Sequence, residues 1–130
     1  MLLKELESNR IVYKSNMDLT DEEMVEKYKQ ADIIAFVSTY EGFGMPIIEG
    51  NAVGRVVVTS NILSMPEVAG NAAHLVNPYD VKSIRSGILK VIEEDAYRAE
   101  LIENGFGNRK RFESSSIANQ YYEIYKGLAR

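Results

Sequence analysis

The residues most able to do chemistry crowd into one stretch, Tyr40-Glu41-Gly42-Phe43-Gly44-Met45-Pro46-Ile47-Ile48-Glu49. It directly follows a continuously apolar run, Ile33-Ile34-Ala35-Phe36-Val37. Gly42 and Gly44 allow positive φ angles or close approach to a ligand. Pro46 suits the first turn of a helix, where a missing N–H costs nothing. Free backbone N–H groups around residues 44–47 then point at the strand end. Together with the helix dipole they make a site for an anion such as a phosphate. Glu41 precedes the predicted helix and Glu49 sits about one turn inside it. A carboxylate can accept two hydrogen bonds from a vicinal diol, so sugar hydroxyls are natural partners for both. The bland alternative is a polar loop residue followed by a helix-surface residue.

Several other chemistries are excluded by the same residues. The Gly42-x-Gly44 pair reaches Ile47 where a dinucleotide fingerprint requires a third glycine. No Gly-x4-Gly-Lys phosphate loop or Gly-x-Ser-x-Gly nucleophile elbow occurs. The absence of cysteine removes disulfides, thiolate zinc sites and thiol catalysis. His74 is the single histidine, so no multi-histidine metal site can form, and it reads as structural. A two-carboxylate hydrolase is disfavoured because a helix N-terminal turn lowers a carboxyl pKa rather than raising it.

These residues need a scaffold, and the patterning predicts one. Residues 10–14 form a β-prone run, broken at Ser15-Asn16-Met17-Asp18. Thr20 and Glu23 have capping-box spacing, and Met24, Tyr28 and Ala31 then share a helical face. The run 33–37 predicts a strand buried on both faces, as in parallel sheets. Arg55-Val56-Val57-Val58-Thr59 predicts another strand and residues 72–76 a fourth, weaker one. One helical turn is expected near Pro66-Glu67-Val68, with Glu67 bracing its own loop. Asp80 is a good N-cap for a helix carrying Ile84, Ile88, Val91 and Ile92. A further helix is expected over about 97–112. Ser114, Ser115 or Ser116 then caps a last helix with Ile117, Tyr121, Ile124, Tyr125 and Leu128 on one face, core or a domain contact. The basic Arg109-Lys110-Arg111 run reads as a solvated face. Alternating strands and helices predict an α/β fold with helices on both sides of the sheet. Ligands in such sheets bind beyond the carboxyl ends of the strands.

Composition agrees with one ordinary globular unit: 130 residues, 45% hydrophobic and 26% charged, with no internal linker. A net charge of −4 argues against wrapping a nucleic-acid backbone. No apolar run approaches the roughly 20 residues of a membrane span. Charge appears at once at the N-terminus, so a cytoplasmic location is the expectation.

The glycine-rich segment, with its spacing of Glu41, seven residues, then Glu49, resembles the signature of retaining GT-B glycosyltransferases of group 1, also called family four. Ala31-Asp32-Ile33, Ser38, Gly54 with Val56-Val57, Pro66-Glu67-Val68-Ala69-Gly70, Asn77-Pro78 and the aromatic-rich last helix resemble that family's C-terminal domain too. The resemblance implies a three-layer, Rossmann-like parallel sheet of about four strands, a truncated half of a GT-B fold. Residues 1–130 would be one partial domain, and residues 1–9 leftover connecting chain. It implies binding of a nucleotide-sugar donor for retaining transfer of a hexosyl group. The donor-binding set would be Glu41, Gly42, Phe43, Gly44, Met45 and Glu49. Glu49 would hold the ribose, and Glu41, the catalytic candidate, would contact the transferred sugar near the reacting carbon. Amides of Phe43, Gly44 and Met45 would serve sugar hydroxyls and phosphate. Residues 15–19 would border the nucleobase. No metal or other cofactor is implied.

Two features depart from the family. Gly54-Arg55-Val56-Val57 lacks the proline of the usual Gly-x-Pro-Val strand start. The Arg and Lys that neutralise the donor diphosphate, and the acceptor domain, would lie upstream of the matched part. The isolated chain is therefore expected not to turn over. Its cut sheet edge is expected to promote a homodimer, and any membrane association would belong to the full-length enzyme. A non-enzymatic α/β module for regulation or protein contact is the alternative. Convergence of both glutamates and the glycine turn on one cleft would argue against it.

Overall fold

The computed structural model describes residues 2–129. Its order is α1 (Leu2–Ser8), α2 (Asp21–Gln30), β1 (Ile33–Phe36), α3 (Met45–Ala52), β2 (Val56–Ser60), α4 (Met65–Ala69), β3 (His74–Val76), α5 (Val81–Glu93), α6 (Asp95–Asn108), a 3-10 turn (Arg109–Phe112) and α7 (Ser114–Leu128). The strands form one parallel sheet in the order β1-β2-β3, with Ile33 opposite Val56 and Val58 opposite His74. All three carboxyl ends therefore open on the same side.

The middle strand explains the layering. Every residue of β2 is buried, and alternate side chains leave opposite faces. Val57 packs with Ile47 of α3 and Met65, Val68 and Ala69 of α4. Val56 and Val58 pack on the other face with Val91 of α5 and Leu101 of α6. A strand covered on both sides must be apolar throughout, which is the pattern Val56-Val57-Val58 shows. Gly50 lets α3 approach closely; a Cβ there would lie 2.7 Å from the Val57 side chain.

Capping is largely local. Thr20 accepts from the Glu23 amide while Glu23 reaches back to the Thr20 amide, so the capping box forms. Asp80 accepts from the Lys82 amide. Gly54 takes φ 70° at the turn into β2, with the Phe106 ring against its Cα, so the glycine is required there.

Four expectations need correction. Residues 10–14 are not a strand: Arg10 turns at φ 55° and the residues after it run as irregular chain, which leaves the outer edge of β1 unpaired among the described residues. The sheet thus has three strands rather than about four. The last helix is capped by none of Ser114, Ser115 and Ser116. Glu113 stands at its N-cap without a side-chain bond, and the Ser116 hydroxyl turns back to the Lys110 carbonyl. Finally, β1 is not buried on both faces: Ala35 is exposed and Ile33, Ile34 and Phe36 are half-buried, because β1 is an edge strand. The face of α7 carrying Tyr121, Ile124, Tyr125 and Leu128 is exposed, each more than half accessible, which excludes core and agrees with a contact surface. No helix among the described residues is long and apolar enough to cross a membrane.

Candidate functional site

The loop after β1 is held by hydroxyls from the next strand. Thr59 donates to the Phe36 carbonyl at 2.8 Å and Ser60 donates to the Ser38 carbonyl. Ser64, after Leu63 in a left-handed conformation at φ 54°, is shared between the carbonyls of Glu41 (3.2 Å) and Phe43 (3.0 Å). The Phe43 ring meets Phe112 edge-on at 5.5 Å. Segment 37–44 is thereby fixed at the carboxyl end of the sheet, beside the turn that leaves β2. Nothing in the sequence patterning flagged Thr59, Ser60 or Ser64 for this work; small hydroxyls at strand ends are the signal.

Gly44 makes the turn into α3 at φ 105° and ψ 51°. A side chain is disfavoured there twice, because a Cβ would also sit 3.2 Å from Ile47. Gly42 behaves otherwise: its φ is not left-handed, and a Cβ would meet nothing within 4 Å. It leaves open space above the loop rather than permitting a strained turn. Pro46 lies in the first turn of α3, as expected. The expected row of free amides is shifted, however. The Ile47 amide is used by the Gly44 carbonyl at 3.0 Å and Pro46 has none. The amides of Gly42, Phe43, Gly44 and Met45 have no hydrogen-bond partner among the described residues. Unpaired amides in and just before a helix N-terminus are suited to receive anionic or hydroxyl oxygens.

Glu49 lies four residues after Met45, one helical turn or about 6 Å along α3. It is half-buried, and its Oε2 accepts from the Tyr28 hydroxyl at 2.7 Å. Burial first, then the bond to Glu49 and its charge, push the Tyr28 pKa well above its ordinary value, so the hydroxyl remains a donor. Glu49 and Tyr28 line a cleft of about 340 Å³ between α2 and α3, with Asp21, Met24, Val25, Ala52 and Val53. Glu41 is half-buried in the loop, and its carboxylate has no hydrogen-bond partner among the described residues. The Glu49 cleft is not lined by Glu41. The structure therefore brings Gly42, Phe43, Gly44 and Met45 together at one turn, with Glu41 attached to it and Glu49 one turn below, facing α2. Residues 15–19 do not join them: Asn16 and Leu19 line a separate groove with Glu22, Glu23 and Glu26.

A buried amide pair fixes α3 from behind. Asn108 Nδ2 donates to Asn51 Oδ1 and to the Val68 carbonyl, both at 2.9 Å, and Asn51 donates to the Ala72 carbonyl at 3.3 Å. Arg111 in turn donates to Asn108 Oδ1 at 2.8 Å and to the Glu67 carbonyl. Glu67 thus takes part through its backbone, while its side chain is exposed. His74 is structural in its contacts: its Nδ1 lies 2.9 Å from the Tyr97 hydroxyl. Among the described residues no group of histidine, aspartate and glutamate side chains is arranged to hold a metal ion.

The sequence profile described as "Glycosyl transferases group 1" matches residues 3–107. This chain belongs to the group 1 glycosyl transferases. The match runs from α1 into α6 and takes in the whole glycine-rich segment. Among curated group 1 relatives, O-antigen chain mannosyltransferase B of Escherichia coli is 36% identical over 108 residues, 83% of this chain but 28% of the relative. Sucrose-phosphate synthase from Thermosynechococcus elongatus superposes with a TM-score of 0.78 at 23% identity, covering 98% of this chain and 33% of that one. HepE of Anabaena, solved in complex with UDP and glucose, superposes with a TM-score of 0.79 at 21% identity, covering 97% and 35%. At such identities these likenesses speak for the fold, which is the α/β arrangement found as part of larger GT-B chains. The group 1 chain described here spans a third or so of the length of the proteins it matches.

Proposed function

We propose that this chain is the donor-binding portion of a retaining glycosyltransferase that moves a hexosyl group from a nucleotide-sugar to an acceptor. The observation that carries this reading is the set of four unpaired amides, 42–45, gathered by the left-handed turn at Gly44 and backed by the N-terminus of α3. Phe43, Gly44 and Met45 donate to sugar hydroxyls and to phosphate oxygens as negative charge grows on the departing diphosphate. Fixed dipoles aimed at developing charge are usually the largest catalytic term. Glu41, on the same loop, faces the transferred sugar near its reacting carbon, where oxocarbenium character favours a carboxylate. Glu49 accepts the ribose hydroxyls. The cationic residues for the diphosphate and the acceptor-binding domain belong to sequence outside these 130 residues, so the isolated chain binds donor without multiple turnover. Support for nucleotide-sugar chemistry comes from HepE, solved with UDP and glucose, and for a hexose from the mannosyltransferase relative.

The non-enzymatic reading has one observation in its favour: Glu49 is engaged by Tyr28 in a cleft that Glu41 does not line. Titration with UDP-, GDP- and ADP-sugars, repeated on Glu49→Ala, separates the two. Binding near millimolar, about −4 kcal/mol, that weakens at least tenfold in the variant supports donor binding. No binding of any of the three, or binding indifferent to Glu49→Ala, favours the contact module.

A further inference from the structure

Tyr28 reads from periodicity only as one member of a helical face, yet it is the residue that touches Glu49. Its hydroxyl takes one carboxylate oxygen, Oε2, at 2.7 Å across 21 residues of sequence. The other oxygen, Oε1, has no partner among the described residues. A glutamate on the first turns of a helix otherwise samples many rotamers, and fixing them at the moment of binding costs affinity. A donor bond from a half-buried phenol removes that freedom beforehand and leaves one oxygen unpartnered among the described residues.

The ring itself is well anchored. The capping box of Thr20 and Glu23 fixes the start of α2. At the other end the Arg55 guanidinium donates to the Lys29 carbonyl, one residue after Tyr28. This bond ties the end of α2 to the base of β2. The raised pKa of Tyr28 keeps its proton in place through the neutral range, so the bond persists under working conditions.

We propose that Tyr28 is a positioning residue: it holds the Glu49 carboxylate in the orientation that accepts the ribose diol of the donor nucleotide. This rests on the donor-binding reading of Glu49 above. Tyr28 touches no ligand; it acts through Glu49 and sets how strongly ribose is preferred to its deoxy analogue.

The test measures binding of UDP, GDP and ADP and of their 2′-deoxy counterparts to the wild type, Tyr28→Phe, Glu49→Gln and the double variant, with thermal melts as controls. Tyr28→Phe is expected to weaken the preferred ribonucleotide about three- to tenfold and to leave its 2′-deoxy form unchanged. It is expected to add nothing in the Glu49→Gln background, because two residues acting through one contact are not additive. Equal weakening of both sugars, or the same loss in the double variant, would make Tyr28 a structural strut and overturn the proposal. Full ribonucleotide affinity in Tyr28→Phe, with loss in Glu49→Gln, would overturn it while leaving Glu49 as the ribose acceptor. If neither Glu49→Gln nor the 2′-deoxy change matters, the reading of Glu49 fails and the positioning role fails with it.

Discussion

Asn108→Ala tests whether the helix that presents the site is fixed by a buried polar contact rather than by apolar packing alone. Asn108 and Asn51 are 6% and 1% accessible. The substitution leaves Asn51 Oδ1 and the Val68 carbonyl without their donor, both in the interior between α3, α4 and α6. A buried acceptor deprived of its partner costs about 1–3 kcal/mol, so two of them give roughly 2–6 kcal/mol. With an unfolding entropy of about 2.1 cal/mol/K per residue, 130 residues give roughly 0.27 kcal/mol/K. The melting temperature is therefore expected to fall by about 7–22 °C. Adding Asn51→Ala removes one of the orphaned acceptors, so the double variant should lose less than the sum of the singles by about 1 kcal/mol. Calorimetric or dichroism melts read both numbers. A fall of less than about 3 °C, or strict additivity, would show that the amide pair does not restrain α3.

The two glycines of the motif should behave oppositely. Gly44→Ala, forced to φ 105° and crowded by Ile47, is expected to destabilise by about 1–2 kcal/mol, read as a lower denaturant midpoint. Gly42→Ala, with no left-handed φ and no neighbour within 4 Å, should keep its stability within about 1 kcal/mol yet lose donor binding. Burial first, and then the Lys90 charge, hold the His74 pKa below its ordinary 6.5, with Glu94 opposing. The unfolded chain then binds the proton more readily, so stability falls as pH drops through about 6.5 and levels off below the folded-state value. Melts between pH 7.5 and 5, with His74→Gln flattening that slope, check the sign. The outer edge of β1, unpaired among the described residues, and the exposed apolar face of α7 predict that the 130-residue chain self-associates. Light scattering showing a clean monomer at high concentration would contradict it.

Local signals were the legible ones. The capping box at Thr20, the cap at Asp80, the buried strand Val56–Ser60 and the proline-led helix after Gly44 are each decided within a few residues of chain, whereas the equally apolar run 33–37 forms a half-exposed edge. The β-prone run at residues 10–14 misled because local propensity does not supply the pairing that completes a strand, and Arg10 adopts φ 55° at its start. The serines at 114–116 carried a capping signal, but the helix starts at Ser114 with Glu113 at its N-cap, and the Ser116 hydroxyl donates to the Lys110 carbonyl. Met24 and Tyr28 do share a helical face while Ala31 caps the helix in extended conformation, yet that periodicity could not distinguish a core tyrosine from one whose hydroxyl crosses to Glu49. The same holds for Asn51 and Asn108, which are 57 residues apart and ordinary in isolation. The glycine turn was legible as a place; which of its amides remain free depended on one closure, Ile47 to Gly44.

The amides of residues 42–45 are the groups that must respond when donor arrives. Heteronuclear NMR of the 15N-labelled chain, titrated with UDP-, GDP- or ADP-sugar, reports each of them separately. With the donor that binds, the Gly42, Phe43, Gly44 and Met45 resonances should move farthest and saturate together, and do so at higher concentration in Glu49→Gln. Saturation that leaves those four resonances still, while others across the surface shift, would contradict that role.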